Sequence, residues 1–148
     1  YNEAALIVKQ GRELNITAPF MGGDGWDSAK LLEIGGAAMD GAFYCNHYST
    51  EDTREVVQNF VKKFREKYNE VPDAIAALSY DATRILIEAI RRAGTTDGPK
   101  LRDAIAATKD YDGVTGTITL NAERNATKSA VILTIKDGKL VLKETIRP

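Results

Sequence analysis

Pro19-Phe20-Met21-Gly22-Gly23-Asp24-Gly25-Trp26-Asp27-Ser28 puts, between Gly22 and Trp26, the carboxylate of Asp24 and the large aromatic Trp26 into a loop whose glycines let the backbone approach a ligand. Before it, Asn2 to Leu14 carries a helical pattern, and the apolar run Ile16 to Met21 reads as a strand. After it, Asp27 or Ser28 can cap a helix over Lys30-Leu31-Leu32-Glu33-Ile34. A loop that leaves the carboxyl end of a strand and feeds a helix is where open α/β sheets bind ligands. Asp24 is therefore the first candidate for ligand contact. The alternative is a tight connection whose carboxylate satisfies nearby backbone N–H groups.

Working outward, Asn2 to Gln10 predicts an N-capped amphipathic helix, and Gly41-Ala42-Phe43-Tyr44-Cys45-Asn46 reads as a buried strand. Ser49-Thr50-Glu51-Asp52 offers a helix start, after which Val56, Val57, Phe60, Val61, Phe64 and Tyr68 recur at helical spacing. Pro72 and Asp73 open a long helix from Ala74 to about Ala93, and Gly94 suits the position just past its end. A shorter helix covers about Lys100 to Ala107. The period then changes from helix to strand. Gly116 to Leu120, Ala130 to Ile135 and Leu140 to Leu142 are strand-like, with Asp137-Gly138 as a hairpin turn, while Asn121 to Thr127 reads as loosely organised. The order is helix, strand, helix, strand, three helices, then a β-rich end. A doubly wound α/β sheet complete in one domain does not finish this way.

The chain has 148 residues, 43% of them hydrophobic, enough for a real core. Its 20 Lys and Arg against 21 Asp and Glu give a net charge of −1, with no basic stripe to favour nucleic acid or an anionic membrane. The longest apolar run falls far short of the roughly 20 residues that cross a bilayer, so the chain is expected to be soluble, with no signal segment at its start. One cysteine, Cys45, allows no internal disulfide and leaves the compartment open.

Little here suits catalysis. A single histidine, His47, and a single cysteine exclude paired His/Cys metal sites. A Cys45/His47 pair would share one face of a strand, but the bland reading is a buried cysteine and a solvent-edge histidine. Ser79-Tyr80-Asp81 lies inside a helix, where the three side chains diverge. Gly22-Gly23-Asp24-Gly25 lacks the residues of a phosphate loop or a dinucleotide site, and Asp24 with Asp27 supplies too few oxygens for calcium. The expectation is a non-enzyme without cofactor or metal.

Four segments occur in a telling order: Tyr1-Asn2-Glu3-Ala4-Ala5-Leu6-Ile7, Phe20 to Ser28, Pro72-Asp73-Ala74-Ile75-Ala76-Ala77-Leu78-Ser79-Tyr80-Asp81-Ala82, and Gly113-Val114-Thr115-Gly116-Thr117-Ile118-Thr119. Together they resemble the C-terminal part of a type I periplasmic binding protein of the leucine/isoleucine/valine-binding family. That resemblance implies two flavodoxin-like, doubly wound α/β lobes joined by crossover strands, an amino acid bound in the cleft between them, and delivery to an ABC permease. It implies a periplasmic or extracellular location, lipid-anchored or free. By the same pattern residues 1–48 belong to the second lobe, 49–127 to the first, and 128–148 return to the second. The chain is then expected to be the C-terminal half of such a protein, with the N-terminal half as its partner.

Carried over by resemblance, Asp24 receives the ligand's ammonium, Tyr1 forms part of the second-lobe wall, and Trp26 covers the ligand side chain or packs beneath the loop. Ile75 stands where many relatives place an aromatic, and Tyr80 is expected in the core. No second acidic or basic residue is expected beside this loop to neutralise a charged ligand side chain, so a neutral, apolar α-amino acid is the expected ligand. With the first lobe's opening half and the second lobe's first strands absent, Val57, Val61, Ile85 and Ile90 are expected to expose apolar stripes and the chain to self-associate or rearrange. Two other readings stay open: an amide-, urea- or amino-acid-sensing domain of the same fold, and a flavodoxin-like fragment with no ligand.

Overall fold

The computed structural model describes residues 1–148. The chain folds as two compact units, one of residues 1–51 and 130–146, the other of 52–129 and 147–148.

The first unit holds α1 (Asn2–Glu13), β1 (Met21–Gly22), α2 (Ala29–Gly35), β2 (Phe43–Asn46), β6 (Ala130–Lys136) and β7 (Lys139–Ile146). Its sheet runs β1-β2-β6-β7, with β1 parallel to β2 and the later pairs antiparallel. Val131, Leu133 and Ile135 alternate along β6 and bury against Ala5 and Val8 of α1, Leu31 of α2, Met39 and Tyr44. Asp137 and Gly138 both take positive φ in the β6–β7 turn, the primed-turn geometry that Asp-Gly favours.

Three expectations fail in this unit. The strand expected over Ile16 to Met21 shrinks to Met21–Gly22, because Arg12 captures the carbonyls of Ile16 and Ala18 at 2.6 and 2.9 Å while its guanidinium covers the Phe20 ring. Carbonyls bound by a side chain are not offered to a neighbouring strand. Helix α1 has Tyr1, not Asn2, at its N-cap, and no side chain closes it. Cys45 is exposed rather than buried, because side chains alternate along β2 and it falls between the buried Tyr44 and Asn46.

The second unit holds α3 (Glu55–Tyr68), α4 (Ala74–Ala93), α5 (Gly98–Ala106), β3 (Tyr111–Gly113), β4 (Gly116–Leu120) and β5 (Ala126–Thr127). Helix α4 has the expected ends. Asp73 accepts from the N–H of Ala76 at 2.8 Å, and Gly94 closes the helix at φ 63°. Ser49-Thr50-Glu51-Asp52 does not start α3. Ser49 Oγ accepts from the N–H of Glu51 and Asp52 from that of Arg54, so both side chains serve turns, and the helix begins at Glu55.

The second unit also contains two short strands that the sequence pattern does not announce. β3 pairs with β4, and β5 pairs with its other edge, so the stretch expected to be loose closes a three-stranded sheet. Asn121 organises the return by accepting from the N–H groups of Glu123 and Asn125. Val57 and Val61 are buried rather than exposed, and Ile85 and Ile90 are half-buried. The large apolar side chains that do face outward here are Tyr68, Val71, Ile75, Tyr80, Leu86 and Ile87. Tyr80 is thus at the surface, its ring 5.0 Å from that of Phe60.

Candidate functional site

Parallel pairing of Met21 with Phe43 and Gly22 with Tyr44 brings the carboxyl ends of β1 and β2 to the same edge of the first unit's sheet. Asp24 follows β1 by two residues, in a single turn of 3-10 helix over Asp24–Trp26, and His47 follows β2 directly. Their side chains meet there: Asp24 Oδ2 lies 3.0 Å from His47 Nε2. The histidine bond, with help from the backbone N–H of Gly25, holds the Asp24 carboxyl below the usual carboxylate range. Asp24 is therefore ionised at neutral pH, and its side chain is 63% exposed.

The loop beneath this carboxylate is firmly built. Ser28 accepts from the N–H of Lys30 and caps α2. Asp27 Oδ1 accepts from the Tyr44 hydroxyl at 3.0 Å, and burial pushes that phenol's pKa well up, reinforced by Asp27 itself. The Trp26 ring packs over Gly22 so closely that a Cβ there would lie 2.2 Å from the indole, and it stands 6.2 Å from the Tyr44 ring. Glycine at position 22 is thus a packing requirement. Trp26 remains half-buried.

The remaining residues named from the sequence lie on other elements. Tyr1 is at the N-cap of α1 and 48% exposed. Ile75 belongs to the second unit, in the first turn of α4, and is 67% exposed. Asp24, Trp26 and Tyr1 share the first unit.

Two residues do more than their sequence context suggests. His47, expected as a solvent-edge side chain, is the partner of Asp24; the signal available was its place immediately after a strand parallel to β1. Asp81 belongs to no triad, yet it is 2% exposed in α4 and accepts from the N–H groups of Val114 and Thr115 and from the Thr115 hydroxyl, each at 2.8 Å. Arg54 donates to the carbonyls of Gly113 and Val114, so the β3–β4 turn is held from both sides. This is structural chemistry, remote in kind from ligand capture.

A groove of about 630 Å³ in the second unit is lined by Phe60, Phe64, Tyr68 and Tyr80 together with Lys63 and Lys67. It contains none of Asp24, Tyr1, Trp26 and Ile75. No group of three or more His, Cys, Asp or Glu residues could hold a metal ion, and no helix is long and apolar enough to cross a membrane.

A family model described as "Periplasmic binding protein" matches residues 2–139. The Leu/Ile/Val-binding protein homolog 2 of Brucella abortus is 29% identical over 134 residues, which cover 88% of this chain and 35% of that protein. Among solved structures, a leucine-binding protein, LivK, from Thermotoga maritima is 37% identical with a TM-score of 0.92, over 99% of this chain and 42% of its own. The branched-chain amino acid transporter substrate-binding protein LivJ from Streptococcus pneumoniae, solved in complex with isoleucine, is 33% identical with a TM-score of 0.90, over 100% of this chain and 42% of its own. The chain thus spans about a third of the length of the curated relatives it matches.

Proposed function

The chain belongs to the periplasmic binding protein family, whose members bind solutes and are not enzymes, and from that premise we propose that it carries one wall of a site for a neutral, apolar α-amino acid. The observation that carries this reading is Asp24: an ionised, solvent-facing carboxylate on a loop pinned by Ser28, by Asp27 with Tyr44, and by Trp26 on Gly22. An exposed anion on a pre-built loop at the carboxyl ends of parallel strands is suited to an ammonium, for which a charge-assisted hydrogen bond contributes about 1.5–3 kcal/mol once water is excluded. The leucine- and isoleucine-related names of the neighbours support the same ligand class.

In this reading residues 1–48 and 128–148 are parts of the second lobe and 49–127 part of the first; the break of the chain into compact units near residues 51 and 129 supports it. Tyr1 and Trp26 line the second-lobe wall, and Ile75 contributes from the first lobe. The complete protein, with the other half of each lobe, delivers its amino acid to an ABC permease from a periplasmic or extracellular position. The test is calorimetric titration of the two-lobed protein with leucine, isoleucine, valine, glutamate and lysine. The three aliphatic amino acids are expected to bind best, and Asp24→Ala to remove binding while leaving the melting temperature within a few degrees. Unchanged affinity in Asp24→Ala, or preference for glutamate or lysine, would sink the assignment.

A further inference from the structure

Asp24 stands between Gly23 and Gly25, and at both glycines the space a Cβ would occupy has no neighbour within 4 Å. The Asp24 side chain is itself 63% exposed, so hydrogen bonds are the main hold on the direction of its carboxylate. His47 is differently placed. It sits between Asn46 and Tyr48, which are 3% and 4% exposed, and its own N–H donates to Asn46 Oδ1 at 2.8 Å. Asn46 is the last residue of β2, opposite Val131 in the sheet, so the imidazole is mounted on the core. A core-anchored ring thus grips an exposed carboxylate through Oδ2, at 3.0 Å, beside the backbone N–H of Gly25.

We propose that His47 is a positioning residue of the amino-acid site: by occupying Asp24 Oδ2 through Nε2 it fixes the carboxylate plane and leaves Oδ1 as the acceptor for the ligand's ammonium. This rests on the reading of Asp24 given above. A carboxylate has about four lone-pair directions, so one histidine bond and one ammonium bond are compatible on the same group. The lowered carboxyl pKa agrees with it, because the histidine bond favours the charged form that an ammonium needs. A residue that holds a charged group in its productive direction lowers the ordering cost of binding without touching the ligand.

The test measures Kd for leucine and for its des-amino analogue, 4-methylpentanoate, in the two-lobed protein. His47→Ala is expected to weaken leucine binding about tenfold, the scale of one hydrogen bond to a charged group, and to leave the affinity for 4-methylpentanoate unchanged. His47→Gln, whose amide can donate from nearly the same reach, is expected to restore leucine affinity to within about threefold of the parent, half a tenfold step on a logarithmic scale. The inference is overturned if Asp24→Ala abolishes leucine binding while His47→Ala leaves it intact, or if His47→Ala weakens both ligands alike. Should Asp24→Ala leave leucine binding intact, the site itself is wrong and the role of His47 falls with it. Should His47→Ala fail to fold, the comparison of leucine with 4-methylpentanoate in His47→Gln decides: equal losses for both ligands overturn the inference.

Discussion

At the scale of single residues, the loop that carries Asp24 contains two glycines whose roles differ and can be separated by the same substitution. A Cβ at Gly22 meets the Trp26 indole at 2.2 Å, whereas at Gly25 it meets nothing within 4 Å. Gly22→Ala must displace the indole from its seat beside Tyr44 and is expected to cost about 1–3 kcal/mol, the usual scale of overpacking. Gly25→Ala is expected to stay within about 0.5 kcal/mol of the parent. Urea unfolding followed by tryptophan fluorescence reads both, since Trp26 is the only tryptophan; equal losses at the two positions would refute the packing argument. Asp24 itself yields a prediction of sign. Its folded carboxyl titrates below the ordinary value of 3.8 because His47 is bonded to it. The stability it contributes is therefore present above 3.8 and lost as pH falls through its lower folded pKa, and exposure keeps that contribution small. In an NMR titration the Asp24 carboxyl midpoint is expected to rise towards 3.8 when His47 is replaced by alanine.

At the scale of elements, what was legible in the sequence was what neighbouring residues decide among themselves. Helix α4 ends where Asp73 and Gly94 signal, and the β6–β7 turn takes the geometry that Asp137-Gly138 requires, because caps and tight turns close over three or four residues. What failed was decided at longer range. The strand expected from Ile16 is lost to Arg12, and β3 and β5 exist through pairing with β4 rather than through any strong pattern of their own. The site divides in the same way. Asp24 was legible from the glycines around it, and its grip by His47 was not, since 23 residues separate them and only the parallel pairing of β1 with β2 joins them. Asp81 is a further case of distant closure, tying α4 to a turn more than 30 residues away. Asp81→Ala leaves two buried N–H groups and a hydroxyl without their acceptor. At about 1–3 kcal/mol for each buried group left unsatisfied, it is expected to destabilise the second unit by about 3 kcal/mol or more. Asp73→Ala, losing one exposed cap, should cost only about 1 kcal/mol. Thermal melts that rank these two variants the other way would contradict the account of the β3–β4 turn.

At the scale of the molecule, both units present large apolar side chains to solvent. On the first, Leu6 and Ile7 of α1 are 49% and 62% exposed and Met21 of the short strand β1 is 71% exposed. On the second, Tyr80, Leu86 and Ile87 are exposed along α4, and the aromatic groove of Phe60, Phe64 and Tyr68 lies beside Tyr80. Exposed large apolar side chains are candidates for faces that another protein surface covers, and the solved neighbours are more than twice the length of this chain, which spans 42% of them. The net charge of −1 supplies little electrostatic repulsion to keep copies apart. The 148-residue chain is therefore expected to self-associate as concentration rises, through these faces and not through Val57 or Val61, which are buried. Sedimentation velocity over a concentration series measures this directly. Ile7→Lys and Leu86→Lys each place a charge on an exposed position without opening the core, so together they should shift the distribution towards monomer and leave the melting temperature within a few degrees. Alanine at Val57 or Val61 should instead lower the melting temperature, at about 1 kcal/mol or more for buried methyl groups removed, with no comparable gain in monomer. A chain that stays monomeric at every concentration, or double-lysine variants that associate as strongly as the parent, would show that these apolar faces are tolerated surface and not interfaces left open.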